Sequence, residues 1–470
     1  AIDTIAVLAA AGIPVRYFPT LTATPLVAFA ALDLGASAAV VVTASHNPPE
    51  YNGYKVYSGN GAQIVPPEDE RIAAAIAAVG PANEVPHAGD DLGGIDLAVP
   101  VDDEVFERYL AAVDAVRPAV DRDRSLRVVY TPLHGLGWGP VRAALAHAGY
   151  EDVTVVPEQA EPDGRFPTVR FPNPEEEAAL DLVSALASER AADVLLANDP
   201  DVDRLAVGLP DAQGGYALLT GNQVGALLGD FVLANAGPGS RPLVVSSIVS
   251  SPMLAAIAAA YGARYETTLT GFKWICNAAL DLERDEGLRF VFGYEEALGY
   301  TVGTTVRDKD GIGAAVLFAD LAAHLEATGR TVGERLDDLY RRHGLWVSHQ
   351  HGIVRPGLAG RDEIAHVMTR IGEARAPEEL AGRTVTGVRD LRTGAAGRAR
   401  WLPAADLVEL ALGGGSRALI RPSGTEPKLK IYVDLVREVD PARGPGEAAG
   451  VLMAEAADVA RALAAFVGLV

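Results

Sequence analysis

Thr43-Ala44-Ser45-His46-Asn47-Pro48 sets a serine hydroxyl in a short loop directly behind the apolar run Ala38 to Val42. That run reads as a buried parallel strand. The loop then falls at a strand's carboxyl end, where open α/β sheets place their ligands. Asn47-Pro48 forces a turn, because proline fixes its own φ and moves the preceding residue away from the helical region. Ser45 is therefore a candidate carrier of a phosphoryl group, and His46 is placed to orient or polarise what it carries.

On either side of this loop, helix-like and strand-like segments alternate. Ile5 to Ala11 is helical, Val15 to Phe18 extended, Leu26 to Leu34 helical and Ala38 to Val42 extended. This βαβ rhythm predicts a parallel sheet. A helix near Asp69 to Val79 precedes a Pro/Gly/acid-rich stretch, Gly80 to Pro100, which reads as an exposed insertion. A helix over Val105 to Val116 closes a first domain, residues 1–118. A second cycle runs from Leu126–Tyr130 to Ala206–Leu209 (119–214). A third has strands at Pro242–Ile248 and Leu288–Gly293 (215–346). From Gly352 the rhythm changes: strands at Val385–Leu391, Asp406–Leu412, Arg417–Ile420 and Leu429–Leu435 precede an Ala-rich helix, Pro445 to Val467. Grouped strands with helices at the ends predict an α+β domain over 347–470.

Composition narrows the function. With 470 residues, 49% hydrophobic and 22% charged, the chain is a multidomain globular protein. No apolar run reaches membrane-spanning length, and the first residues show no signal-peptide layout. Cys276 is the single cysteine, which excludes an internal disulfide and fits a reducing cytoplasm. A net charge of −22 argues against nucleic acid or an anionic membrane surface as partner. An anionic small molecule would need a local cluster of cations. Of 40 basic residues only Lys55, Lys273, Lys309, Lys428 and Lys430 are lysine, and all lie near the motifs below. A lysine kept in an arginine-rich chain points to a need for a compact, proton-transferring ammonium group.

Asp199-Pro200-Asp201-Val202-Asp203-Arg204 follows the apolar strand Val194 to Ala197. In an extended segment, alternate residues share a face, so three carboxylates there would form a hard-oxygen site suited to Mg²⁺. An EF-hand loop does not fit, because Arg204 stands where its glycine belongs and Pro210 where its final glutamate belongs. Arg204 is placed to steady the carboxylates or to reach a transferring phosphoryl group. Arg421-Pro422-Ser423-Gly424-Thr425-Glu426-Pro427 offers hydroxyls, free backbone N–H groups and a guanidinium fork, an anion nest for a phosphate that is held rather than transferred. Gly135-Leu136-Gly137-Trp138-Gly139 is misspaced for a dinucleotide fingerprint, with Pro140 where the third glycine belongs, and no P-loop signature is present. His134 beside it reads as structural. Asp310 is placed to cap a helix, and Lys309 is a candidate substrate contact.

These elements, in this order, resemble the α-D-phosphohexomutase superfamily, which includes phosphoglucomutases, phosphomannomutases and a phosphopentomutase-like branch. The resemblance covers nearly the whole chain. It implies four domains around a central cleft: three related α/β units with mixed or parallel sheets, and a C-terminal α+β domain. It makes Ser45 the phosphoserine and, with Asp199, Asp201 and Asp203, a ligand of one Mg²⁺ per chain. It makes Lys55 the general acid/base, with a pKa lowered among neighbouring cations, and places Arg204 and Lys273 near the phosphosugar; His46, from its place beside Ser45, is counted with Lys55 and Arg204 as catalytic. Lys273, Lys309, Glu295, Glu296, Arg421, Ser423, Gly424 and Thr425 become substrate contacts.

The implied activity is isomerisation of a glucose- or mannose-type sugar between its 1- and 6-phosphates. A bisphosphate would serve as intermediate and as primer of the phosphoserine. The expected partner is the phosphosugar alone, bound by a monomer or homodimer. Ala297 replaces the serine of the family's Glu-x-Ser sugar loop and brings the chain closer to the phosphopentomutase-like branch, so ribose or deoxyribose phosphates are the alternative substrates. A phosphoserine-type phosphatase or a catalytically silent relative is a remoter alternative. Family members begin with a Gly- and Arg-containing segment that has no match here, so the chain is expected to be the retained part of a longer one.

Overall fold

Residues 1–373, 376–423, 428–440 and 444–469 are described by the computed structural model of the chain. Helix Gly311–Ala327 lies at its centre and is buried on nearly every side, as its predominantly apolar surface requires, with buried Asp320 paired to Arg117 and Arg122. It packs between the second and third α/β units, against helices Trp138–His147 and Gly221–Ala234 and strands Val194–Ala197 and Gly299–Val302. Asp310 caps its first turn, accepting from the N–H groups of Ile312 and Gly313 at 3.1 and 2.9 Å. The N-terminus of this helix, preceded by Lys309, therefore opens where the sheets present their functional loops.

The second unit is a five-stranded sheet in the order Val153–Val155, Val128–Thr131, Val194–Ala197, Ala206–Pro210, Tyr216–Leu218. Its first three strands are parallel and the last two return antiparallel. Val128–Thr131 and Val194–Ala197 are buried along their whole length, as covered parallel strands should be. The third unit repeats the plan with Arg264–Thr268, Pro242–Ser247 and Arg289–Glu295 parallel and Gly299–Val302 antiparallel. From Leu345 a six-stranded antiparallel sheet forms, in the order Leu345–Val354, Lys428–Arg437, Arg417–Pro422, Val408–Leu412, Arg383–Asp390, Glu379–Leu380. Helix Gly446–Phe466 packs on it. Three α/β units and a sheet-rich terminal unit are the architecture expected from the sequence.

The first unit departs from its expected details. Ala38–Val42 pairs antiparallel with Tyr54–Ser58, and only Val41 of its five residues is buried. Strand direction follows the connection, and the loop after Val42 returns directly without the crossover that parallel pairing needs. Five apolar residues do not reveal that difference. The parallel pair of this unit joins Val15–Tyr17 to Ala98–Pro100, so the end of the stretch expected to be an exposed insertion is a strand. Ile95 and Ala98 there pack with Ile5, Ala6 and Ala9. Among the described residues no single helix is long and apolar enough to cross a membrane.

Candidate active site

Ser45 sits in the loop joining Ala38–Val42 to Tyr54–Ser58, and its backbone is left-handed, with φ 52°. Non-glycine residues adopt this conformation rarely and keep it where the surroundings impose it. Here the Ser45 N–H donates to Thr43 Oγ1 at 2.9 Å. The Ser45 hydroxyl donates to Asp199 Oδ2 at 2.9 Å and lies 3.4 Å from His46 Nδ1. Burial, reinforced by Arg204, lowers the His46 pKa to about 4, so the imidazole is neutral at pH 7.

The loop after Val194–Ala197 turns rather than extends, with Val202 also left-handed at φ 66°. Alternation along an extended chain was therefore the wrong reason to group its carboxylates. The turn does it instead: Asp199, Asp201 and Asp203, all buried, bring carboxylate oxygens within 4.8 Å of one another. Two glycines permit the turn to be gripped. Leu136 N–H donates to Pro200 O at 2.9 Å and Gly311 N–H to Val202 O at 3.1 Å. A Cβ on Gly135 would lie 2.2 Å from Pro200 Cα, and one on Gly311 would lie 2.5 Å from Arg204 O.

Cations from two other units meet these carboxylates. Lys55 Nζ lies 2.7 Å from Asp201 Oδ2 and 2.8 Å from Asp203 Oδ2, and Lys309 Nζ lies 2.9 Å from the same Asp203 oxygen. Arg204 donates its backbone N–H to Asp199 Oδ1 at 3.0 Å, while its side chain lies 3.4 Å from Glu175 Oε2. Burial and repulsion from Asp203 and Asp201 push the Asp199 carboxyl well up. Burial would raise Asp203 too, but Lys309, Lys55 and Arg204 hold it well below the usual range.

The Lys55 expectation is corrected. Burial alone would lower its pKa, but the carboxylates of Asp203 and Asp201, which it touches directly, outweigh this and raise it above that of a free lysine.

The third unit closes the group. Leu205 N–H donates to Leu298 O at 3.0 Å, and Arg204 forms a backbone bridge with Gly299. The loop 295–298 is thus fastened to the carboxylate loop. Buried Glu295 accepts the Gly271 N–H at 2.6 Å. Partly exposed Glu296 accepts from the Ser247 and Ser250 hydroxyls at 3.1 and 3.2 Å, and burial followed by repulsion from Glu295 raises its pKa to about 7. Lys273 stands apart from the carboxylates, 3.9 Å from Asp69 of the first unit and stacked 5.6 Å over Trp274. Arg421 Nη1 donates to Thr270 Oγ1 at 2.7 Å, and Ser423 N–H to Lys428 O at 2.7 Å. Gly424 and Thr425 lie outside the described residues. Buried His134 has its Nε2 2.8 Å from Thr168 Oγ1.

Sequence reasoning passed over several groups at the site. Buried Thr24 donates its hydroxyl to Asp201 Oδ2 at 2.8 Å. Tyr57 and Gln63 both donate to Asp308 Oδ2 at 2.7 Å, which locks the residue before Lys309. Glu175 and Ser250 likewise carry no local motif. Only the distant partner reveals each of them.

The phosphoglucomutase/phosphomannomutase models for α/β/α domains I, II and III match residues 1–82, 107–212 and 220–343. A Haemophilus influenzae protein named probable phosphomannomutase is 43% identical over 446 residues, 93% of this chain and 85% of that protein. The chain belongs to the phosphoglucomutase/phosphomannomutase family. As a family member it is a phosphosugar mutase, an isomerase. The human phosphopentomutase is 35% identical over 447 residues, covering 90% of this chain and 72% of that one. The open form of the Paramecium phosphoglucomutase parafusin shares the fold, with TM-score 0.71 at 18% identity over 99% of this chain and 85% of that one. The buried carboxylate triad of this family member is compatible with a divalent metal.

Proposed function

We propose that this chain interconverts the 1- and 6-phosphates of a glucose- or mannose-type sugar, with Ser45 carrying the phosphoryl group between the two positions. The observation that carries this reading is the Ser45 hydroxyl 2.9 Å from Asp199, in a pocket where Lys55, Lys309 and Arg204 face three buried carboxylates. Phosphoryl transfer needs mainly positioning and charge stabilisation, and these groups supply both. Residues 1–118, 119–214, 215–346 and 347–470 are read as the phosphoserine, metal, sugar and phosphate-anchoring domains.

The triad fits a hard divalent cation such as Mg²⁺. Asp201 Oδ1 and Asp203 Oδ1 are buried and have no hydrogen-bond partner among the described residues, a costly state that a cation would relieve. Asp199, Asp201, Asp203 and the phosphoryl group on Ser45 would hold it. When bound, the ion supplies charge neutralisation of the phosphoryl oxygens. Arg204 and Lys309 add positive charge around the same oxygens. In the forward half, the P–O bond to Ser45 breaks as one to the free sugar hydroxyl forms. Lys55, charged while paired with Asp201 and Asp203, would take the hydroxyl proton only once a bound cation neutralised those carboxylates, and would pass it on to Ser45 Oγ. The resulting bisphosphate turns over and returns its other phosphoryl group to Ser45. Arg421, Ser423, Gly424 and Thr425 hold whichever phosphate is not reacting, and Glu295, Glu296 and Lys273 contact the sugar. A sugar bisphosphate primes Ser45. Every group named lies in one chain, so a monomer or a homodimer can act, in the reducing cytoplasmic setting that buried Cys276 fits.

Ala297 favours a second reading. Without a hydroxyl between Glu296 and Leu298 the loop loses one sugar contact, as in the phosphopentomutase-like branch, and pentose 1- and 5-phosphates become substrates. An isomerisation panel of glucose, mannose, glucosamine and ribose 1-phosphates with Mg²⁺ and a bisphosphate primer decides between them. At least one is converted by the wild type, and Ser45→Ala loses about 10³-fold or more. Full activity of Ser45→Ala, or release of inorganic phosphate without isomerisation, would overturn the proposal.

A further inference from the structure

Arg417 and Arg421 lie four residues apart on strand Arg417–Pro422, so both project from one face of the terminal sheet. Each reaches the third unit. Arg417 Nη2 donates to the Ser250 carbonyl at 2.6 Å, and Arg421 Nη1 to Thr270 Oγ1 at 2.7 Å. Both acceptors adjoin the groups that hold the glutamate pair. The Ser250 hydroxyl donates to Glu296 Oε2 at 3.2 Å and accepts the Glu296 N–H at 3.1 Å. Gly271, next after Thr270, donates to Glu295 at 2.6 Å.

The two arginines are not equivalent. Arg417 is pinned by Asp434 at 2.8 Å and Glu409 at 3.4 Å, and Asp434 is itself held by the Ser348 hydroxyl at 2.6 Å. Each of the three guanidinium nitrogens thus has a protein acceptor, so Arg417 is held in place by the terminal sheet and the third unit together. Arg421 has no carboxylate partner among the described residues, so its contact with Thr270 can be exchanged for an anion.

We propose that Arg417 is a positioning residue: through the Ser250 carbonyl it fixes the Ser250 hydroxyl, and with it Glu296 and the loop 295–298, so that seating the terminal unit sets the loop that faces the sugar. The inference rests on the mutase reading for its consequence in catalysis. Ser247 completes the connection, its hydroxyl 2.8 Å from Ser250 Oγ and 3.1 Å from Glu296 Oε2. Arg417 is the fixed pivot of the contact and Arg421 the releasable one.

The test compares the full chain with Arg417→Lys, which keeps a charge beside Asp434 but not the fork, and with Ser250→Ala, which removes only the hydroxyl. Amide hydrogen exchange over residues 293–300 should speed up about tenfold in both variants, while exchange in the buried strand Val194–Ala197 stays unchanged. With whichever sugar phosphate the wild type converts, KM should rise about tenfold and kcat change less than about threefold, the mark of lost ground-state and transition-state binding together. Exchange over 293–300 within about twofold of wild type in both variants overturns the inference. A wild type that isomerises no sugar phosphate overturns the mutase reading instead, and the exchange comparison still decides the role of Arg417.

Discussion

Lys309 Nζ stands 2.9 Å from Asp203 Oδ2, an oxygen that Lys55 also approaches at 2.8 Å from another unit of the chain. One buried carboxylate thus joins two ammonium groups that are distant in sequence. Lys309→Met leaves Asp203 with Lys55 and, at 4.0 Å, Arg204. It should lower kcat/KM by about 10²-fold and cost about 2 kcal/mol of stability, the scale for a weakened buried charged pair. Steady-state kinetics and urea unfolding check both numbers.

Addition of Mg²⁺ should raise the melting temperature, because a ligand that binds only the folded state stabilises it by about 2.7 kcal/mol at 100 times its Kd. Asp201→Asn should abolish that response, since the triad would lose a carboxylate whose second oxygen has no other partner among the described residues. An equal Mg²⁺ response in the variant would count against the triad as the cation site.

Gly311→Ala places a methyl 2.5 Å from Arg204 O and 2.6 Å from Val202 O, both backbone atoms of the carboxylate loop. We expect a loss of about 2–4 kcal/mol and an activity loss larger than the stability loss alone explains. Gly139→Ala is the control. A Cβ there meets nothing within 4 Å, and alanine in helix Trp138–His147 should be neutral or stabilising by up to about 1 kcal/mol. Calorimetry on the two variants distinguishes crowding from a general cost of replacing glycine.

Glu296, raised to about 7 from an ordinary value of 4.5, binds its proton more tightly in the folded chain than in the unfolded one. Its contribution to stability is therefore full below pH 4.5 and is lost as pH rises through 7. Glu296→Gln removes this term. The variant should gain on the wild type between pH 5 and 7.5 by about 1–2 kcal/mol, one pKa unit being about 1.4 kcal/mol before discounting for partial exposure. Denaturant midpoints for both proteins across that range provide the measurement, and parallel curves would refute the assignment.

The groups of the candidate site were legible in the sequence where a few adjacent residues hold the relevant functional groups. Ser45-His46 and Asp199 to Arg204 are such runs, and the structure brings them together. The alternation of strands and helices likewise foretold the second and third sheets. What stayed hidden has a common cause. Thr24, Glu175, Ser250 and Arg417 work through partners elsewhere in the chain, and nothing local distinguishes a buried threonine that meets a carboxylate from one that does not. The direction of Ala38–Val42 was hidden for a related reason, since it is set by the return path of the chain rather than by the strand's own residues. The Lys55 environment was misjudged because cations were counted along the sequence, while the carboxylates opposite them belong to another unit.

The left-handed backbone at Ser45 constrains which amino acid can occupy the position. Threonine has the same hydroxyl and accepts phosphate by the same chemistry, but its branched Cβ crowds the neighbouring carbonyls at φ 52°. Ser45→Thr should therefore be a poor phosphoacceptor although no functional group is lost, and glycine, which suits the turn best, has no oxygen to offer. Serine is the residue that satisfies both demands, so the shape of the main chain, as much as the reaction, would select the side chain proposed to carry the phosphate.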